Sequence, residues 1–379
     1  MKIHFHDLTC PGGILKQQYL SALESVIADG NYILGDAVFT FEQNLSQFGG
    51  LRDSIAVGSG TDALYLALTA LKARSKSRQK KYVITTPMSY IASTSSIYLS
   101  GLQPIFCDVD KAMNLCPKQV EEILQGRDDI LAILLVHLGG IPAQMASYCR
   151  LTLQYGVPVV EDCAQAFGTQ YDDISVGTFG EFGAFSFHPL KIYSALGDAG
   201  AVAAANPIDI DFLRMARNHG HITRDNVQFF SHNMRMDAIQ ARFLDLKLSV
   251  VDESIMLREQ QVRMYKDCMA PLIEDGILAF PSSPKKTTRI SYNFFMIRAP
   301  NRARLQEFMT TKGIETKVHY ERLLTDLDAT KKMEAIQIGE LPIAHVAVKE
   351  ILSLPLGQHI CHSAIEYICE TITDFYRGT

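Results

Sequence analysis

Between about residues 50 and 205 the chain alternates short, nearly continuous apolar runs with longer stretches whose apolar positions recur at helical spacing. Residues 55–57, 82–85, 104–107, 130–136, 158–160, 183–187 and 201–205 form the runs. Such alternation predicts parallel strands joined by crossover helices. Because several runs carry almost no polar residue, the sheet is expected to be covered on both faces. Past residue 248 the pattern changes. Residues 249–272 read as one long helical stretch, 290–297 as a strand and 302–312 as a helix. The predicted organisation is an α/β domain over residues 1–248, with a mostly parallel central sheet between helices, and a smaller α+β domain over 249–379. The proline-bearing loop at 281–286 is too short to act as a long linker, so the two parts should pack together. No internal repeat or low-complexity segment interrupts the pattern.

A length of 379 residues exceeds the usual size of one hydrophobic core, consistent with two regions. With 47% hydrophobic and 20% charged residues, the composition is that of an ordinary compact protein. A net charge of -5 supplies no broad positive field for a phosphate backbone, which argues against nucleic acid as main partner. A single small phosphate remains compatible with it. The opening segment Met1 to Asp7 lacks the apolar stretch of a secretory signal, and no later run is long and apolar enough to span a bilayer. The expectation is a cytoplasmic protein without membrane contact. Eight cysteines are scattered without a C-x-x-C pair, suggesting neither a zinc site nor a disulfide framework. They read as reduced, mostly buried thiols.

Three clusters bear chemistry. After the run at 55–57 comes Gly58-Ser59-Gly60-Thr61-Asp62, then a strongly helical stretch. Glycines let the backbone approach an anion, and free N–H groups at a helix start favour negative charge. A tight turn capped by Thr61 or Asp62 explains the same residues. Neither the Walker lysine nor the full G-x-G-x-x-G spacing is present. In the second cluster, Asp162 and Gln165 follow a buried strand at its C-terminal end, the edge that faces the ligand crevice in open α/β sheets. A carboxylate there suits a protonated ring nitrogen, and Gln165 suits either a cofactor's phenolic oxygen or a helix cap. The third cluster, Phe185 to Lys191, again ends an apolar run. Lys191 there suits a Schiff base with a carbonyl, although singly it reads as a solvated lysine. Ser186 suits a phosphate, and His188 reads equally well as a packed or surface histidine.

In this chain order, with Tyr90 in Pro87-Met88-Ser89-Tyr90-Ile91-Ala92, the sequence resembles the DegT family of sugar aminotransferases. Further matches are Asn31-Tyr32-Ile33-Leu34-Gly35, Val136-His137-Leu138, Gly197-Asp198, Asn218-His219-Gly220, Asn233 to Asp237, Gly313 to Thr316 with His319-Tyr320, and Leu352 to Pro355. The resemblance covers nearly the whole chain. It implies the aspartate-aminotransferase (type I) fold and pyridoxal 5'-phosphate, with pyridoxamine 5'-phosphate formed in the cycle. By the same resemblance Lys191 links covalently to the cofactor, Asp162 contacts the pyridine nitrogen, Gln165 contacts the ring hydroxyl and Tyr90 stacks on the ring. Gly60, Thr61 and Ser186 hold the phosphate, joined by Asn233 from the partner subunit of a homodimer.

The implied reaction moves an amino group, from L-glutamate, onto a keto sugar carried on a nucleotide. The run Tyr32 to Gly35 looks more like family members that aminate C3 than C4. A deoxysugar dehydratase of the same fold would carry histidine in place of Lys191. A non-catalytic regulator is the third reading, opposed by the intact Asp162, Gln165 and Lys191 set. Two departures touch the expected substrate side: Gly139 stands where the family usually has an aromatic, and Gln144 where an aspartate is common.

Overall fold

The computed structural model describes residues 2–9, 13–333, 336–337 and 341–378. Seven strands match the seven predicted runs: β1 (Ser54–Val57), β2 (Tyr82–Thr85), β3 (Gln103–Phe106), β4 (Ile130–Val136), β5 (Val159–Asp162), β6 (Phe182–Ser186) and β7 (Gly200–Ala204). Among the later strands are β8 (Phe295–Arg298), β9 (Ile336–Gln337) and β10 (Ile351–Leu354). The central sheet runs β1-β7-β6-β5-β4-β2-β3-β9. Strand β7 is antiparallel to both β1 and β6, whereas the other neighbours are parallel.

Every position of β4 is buried, which is why its run holds no polar residue. Alternate side chains serve opposite faces. Leu134 and Val136 join Leu64, Leu68 and Val160 in one cluster, while Ile133 and Leu135 join Tyr148 and Leu151 in another. Burying each such side chain contributes about 1.5–3 kcal/mol, so a polar residue at these positions would be selected against by packing alone. The helix Gly60–Arg74 follows β1 and supplies much of the first cluster.

In the C-terminal part β8 pairs antiparallel with β10. Tyr265, Ile297, Leu305, Leu352 and Ile365 form its core. Ile3 from the N-terminus packs into that core, and its N–H donates to the Gly313 carbonyl at 2.9 Å. In the opposite direction β9 adds to the edge of the central sheet beside β3.

Three local expectations shift. The long helix is Val251–Cys268, followed by a short helix Ala270–Glu274. Pro271 lacks an N–H and tolerates only a first-turn place, so it starts the second helix rather than continuing the first. The strand expected from 290 begins at Phe295 instead. Upstream, the Asn293 N–H donates to the Gly139 carbonyl at 3.0 Å and its side-chain Oδ1 accepts from the Ile192 N–H at 3.2 Å, which ties this stretch to loops of the large sheet. The cysteines are less buried than expected: Cys107, Cys163 and Cys369 are buried, Cys116 and Cys149 half-buried, and Cys268 and Cys361 exposed. Cys10 lies outside the described residues. Among the described residues no helix is long and apolar enough to cross a membrane.

Candidate functional site

Strand β5 ends on two carboxylates that face opposite ways. Glu161 is fully buried and accepts from the N–H groups of Gly177 at 2.8 Å and Gly180 at 2.7 Å. Its Oε2 also lies 3.1 Å from His137 Nε2. Since His137 Nδ1 accepts from the Ala143 N–H at 3.1 Å, the network assigns the ring proton to Nε2, which donates to Glu161. Asp162 turns toward the crevice, where Oδ2 accepts from Ser93 Oγ at 2.8 Å and Oδ1 from the Ala164 N–H at 3.1 Å. Burial pushes the Asp162 carboxyl above its usual range, opposed by these two hydrogen bonds and by the neighbouring Lys191 charge.

Lys191 follows β6 through a turn in which its N–H donates to the His188 carbonyl at 2.8 Å. The side chain is partly buried rather than solvated. Burial lowers its amine below the ordinary lysine range, and the neighbouring Asp162 charge pulls the other way. A lysine that follows β6 and an aspartate that ends the adjacent β5 are thus both placed at the C-terminal edge of the sheet. His188 is exposed, its ring accepting only from the Leu190 N–H at 3.2 Å.

The glycine-rich turn sits against the same edge. Ser59, and not Thr61 or Asp62, caps the helix Gly60–Arg74 by accepting from the Asp62 N–H at 3.1 Å. In the first helical turn the N–H groups of Gly60 and Thr61 have no intrahelical acceptor. Ser186, at the end of β6, lies directly over Gly60, where an added Cβ would stand 3.2 Å from the serine hydroxyl oxygen. Helix-start N–H groups, a hydroxyl and a missing side chain together make a cradle for a phosphate.

Gln165 is buried and held at both ends of its amide. Oε1 accepts from the Gly139 N–H at 2.7 Å, and Nε2 donates to the Tyr320 hydroxyl at 2.9 Å. The Tyr320 ring lies 6.2 Å from that of Tyr90, which precedes the helix Ile91–Leu99 and is 58% exposed in the single chain. Burial raises the Tyr320 hydroxyl above the usual tyrosine range. Its neighbour His319 stacks on Phe294 at 4.0 Å, and its Nδ1 lies 2.8 Å from Ser353 Oγ. Burial, with the charges of His6, Lys191 and Lys317, lowers His319 to about 3, so the ring is neutral. Asn233 is exposed and adjoins Met234, whose carbonyl accepts from the Gly58 N–H at 2.9 Å.

The crevice therefore brings together Asp162, Lys191, Gln165, Gly60, Thr61, Ser186 and Tyr90. Three residues near it had no role assigned from sequence. Tyr320 belongs to a quoted motif and was open to notice. Ser89 lies in the quoted run at 87–92 but has no role assigned there, and Ser93 is an ordinary serine in the first turn of the helix Ile91–Leu99, where nothing in its spacing marks it. These groups fit pyridoxal 5'-phosphate: an acid for its ring nitrogen, an amine for its aldehyde, and the cradle for its phosphate.

The sequence profile of the DegT/DnrJ/EryC1/StrS aminotransferase family matches residues 14–373. A Geobacillus stearothermophilus protein named pleiotropic regulatory protein is 31% identical over 380 residues, spanning 100% of this chain and 99% of its own. A dTDP-3-amino-3,4,6-trideoxy-alpha-D-glucose transaminase of Streptomyces venezuelae is 31% identical over 360 residues, spanning 95% and 92%. The crystal structure of S. venezuelae DesV in complex with a ketimine intermediate superposes with a TM-score of 0.92 at 29% identity, covering 99% of this chain and 98% of that one. With a sheet-edge lysine and aspartate in place and a profile match over nearly the whole length, the chain belongs to the DegT/DnrJ/EryC1/StrS aminotransferase family.

Proposed function

We propose that this aminotransferase moves an amino group from L-glutamate onto the keto carbon of a nucleotide-linked sugar, with C3 the favoured position. The observation that bears most weight is the placement of Asp162, at the end of β5, and Lys191, just beyond the neighbouring parallel β6, at one C-terminal edge of the sheet. When bound, pyridoxal 5'-phosphate supplies an electron sink for the charge left on carbon when a proton departs. Asp162 binds and orients the ring nitrogen, Gln165 the ring hydroxyl, and Tyr90 covers the ring face. Gly60, Thr61 and Ser186 hold the phosphate, completed by Asn233 from the second subunit of a homodimer. Residues 1–248 serve as the cofactor-binding domain and 249–379 as the smaller domain that closes the site.

Lys191 anchors the cofactor between turnovers. Once displaced, its lowered amine is free to take the proton from the donor's α-carbon and to return one to the sugar carbon. Support for C3 comes from the Tyr32 to Gly35 run and from the 3-amino-sugar name of the Streptomyces relative. The regulatory name of the Geobacillus relative favours a second reading, a fold kept for sensing. Lysine at 191 argues against the dehydratase.

The test is a half-reaction followed by a substrate panel. Glutamate added to the purified, cofactor-loaded protein should convert the pyridoxal spectrum to the pyridoxamine one, and a 3-keto nucleotide sugar should restore it. No spectral change with any amino acid would leave the regulator as the better account. Exclusive use of 4-keto sugars would overturn the C3 assignment alone.

A further inference from the structure

We propose that Ser93, backed by Ser89, is a positioning residue that fixes the Asp162 carboxylate through a one-way relay of hydroxyl hydrogen bonds. The inference rests on the reading above, in which Asp162 is the partner of the cofactor's ring nitrogen. Ser93 is 0% exposed and Ser89 4%, so both hydroxyls are withdrawn from bulk solvent. Ser93 has one proton, and it goes to Asp162 Oδ2 at 2.8 Å. The remaining 2.8 Å contact between Ser89 Oγ and Ser93 Oγ then has only one consistent direction, with Ser89 as donor. Both hydroxyls point their protons toward the carboxylate.

Ser93 lies in the first turn of the helix Ile91–Leu99, where side chains lean back toward the helix start. That lean brings its hydroxyl to the end of β5. Oδ2 is fixed by Ser93 and Oδ1 by the Ala164 N–H, so the plane of the carboxylate is set before any ligand arrives. A hydrogen bond to an ionised acceptor is worth more than one between neutral groups. Among the influences opposing burial at Asp162, the Ser93 bond is the largest. Without it the carboxyl would take up a proton more readily, and its orientation would be held from one side only. The relay starts one residue before Tyr90, so a single short segment places both the proposed ring cover and the support of the ring-nitrogen partner.

The test uses full-length protein with Ser93→Ala, Ser89→Ala, Ser93→Thr, Asp162→Asn and the double variant Ser93→Ala/Asp162→Asn. Two quantities are read: the dissociation constant of pyridoxal 5'-phosphate, and the midpoint of the pH titration of its bound visible absorbance. Ser93→Ala should weaken binding about tenfold, the scale of one hydrogen bond to a charged group, and should move the titration midpoint. Ser89→Ala should shift both in the same direction by less, and Ser93→Thr, which keeps the hydroxyl, should restore both. In the Asp162→Asn background Ser93→Ala should change neither. An equal loss in that background would show that Ser93 merely supports the helix and would overturn the relay, as would unchanged values in Ser93→Ala or Ser89→Ala. Wild-type binding and titration in Asp162→Asn alone would overturn the assignment of Asp162 itself, and the relay's purpose with it.

Discussion

Gly60 and Ser186 approach so closely that a methyl group on Gly60 would stand 2.6 Å from the Ser186 Cβ. Two chain segments some 126 positions apart in sequence meet there, one opening a helix and the other ending a strand. Gly60→Ala is expected to push Ser186 out of place, costing about 1–3 kcal/mol as overpacking does. It should also weaken cofactor binding, because the serine hydroxyl and the helix-start N–H groups no longer converge. Urea denaturation of the apoprotein and a pyridoxal 5'-phosphate titration measure the two effects. Cofactor affinity equal to wild type would rule out a phosphate at this cradle.

Lys191→Ala should lose turnover by a factor of at least about 10²–10⁴, the usual contribution of a positioned acid–base group, with a further loss from the missing covalent anchor. Cofactor should still bind, since Asp162, Gln165 and the Gly60–Ser186 cradle remain. Steady-state rates near wild type would refute the role given to this amine.

The same lysine makes stability depend on pH. Burial lowers its amine below the ordinary 10.5 in the folded apoprotein, only partly offset by Asp162. Where the folded form has released the proton and the unfolded chain still holds it, stability rises with pH. The destabilising contribution is therefore complete below the folded value and gone by the time pH reaches 10.5. Lys191→Met, which removes the charge but keeps the bulk, should stabilise the apoprotein most below the folded value, with the gap closing as pH rises through it toward 10.5. Urea midpoints across that range give the answer, and a gap that does not vary with pH would contradict the lowered amine.

How much of this was legible in the sequence follows from what each feature depends on. Strand β4 announces itself because all seven of its positions are buried and none is polar. Asp162 and Lys191 stand out as polar groups ending apolar runs, which is a local signal. Ser93 gives no such signal, since a serine in a helical stretch is commonplace and its partner lies 69 positions away. Gln165 was legible as a candidate, but its hold on Tyr320 spans 155 positions and depends on how the two parts of the chain pack. The two-residue strand β9 is too short to show periodicity and exists only because β3 offers it an edge. Local chemistry at strand ends can be read directly, whereas supports supplied from elsewhere in the chain require the fold.

The departure at Gly139 has a structural counterpart. Its φ is +66°, in the left-handed region, and an added Cβ would lie 3.1 Å from both Phe294 and Met296. The volume beside residue 139, where the family usually places an aromatic, is thus filled in this chain from Phe294, which also stacks on His319. Gly139 further donates its N–H to Gln165, so displacing its backbone would reach the residue proposed for the ring hydroxyl. Gly139→Tyr should therefore cost about 1–3 kcal/mol through overpacking, with a contribution from backbone strain, and should raise the KM for the sugar more than that for glutamate. Emptying the occupied space with Phe294→Ala should recover part of the loss if the two side chains compete for one volume. Independent, additive losses in the double variant would show that they do not. Competition would mean that the wall near the site is built here from the segment just before β8 rather than from the turn after β4. Substrate preference would then be tunable from residue 294 without touching the Asp162 and Lys191 pair.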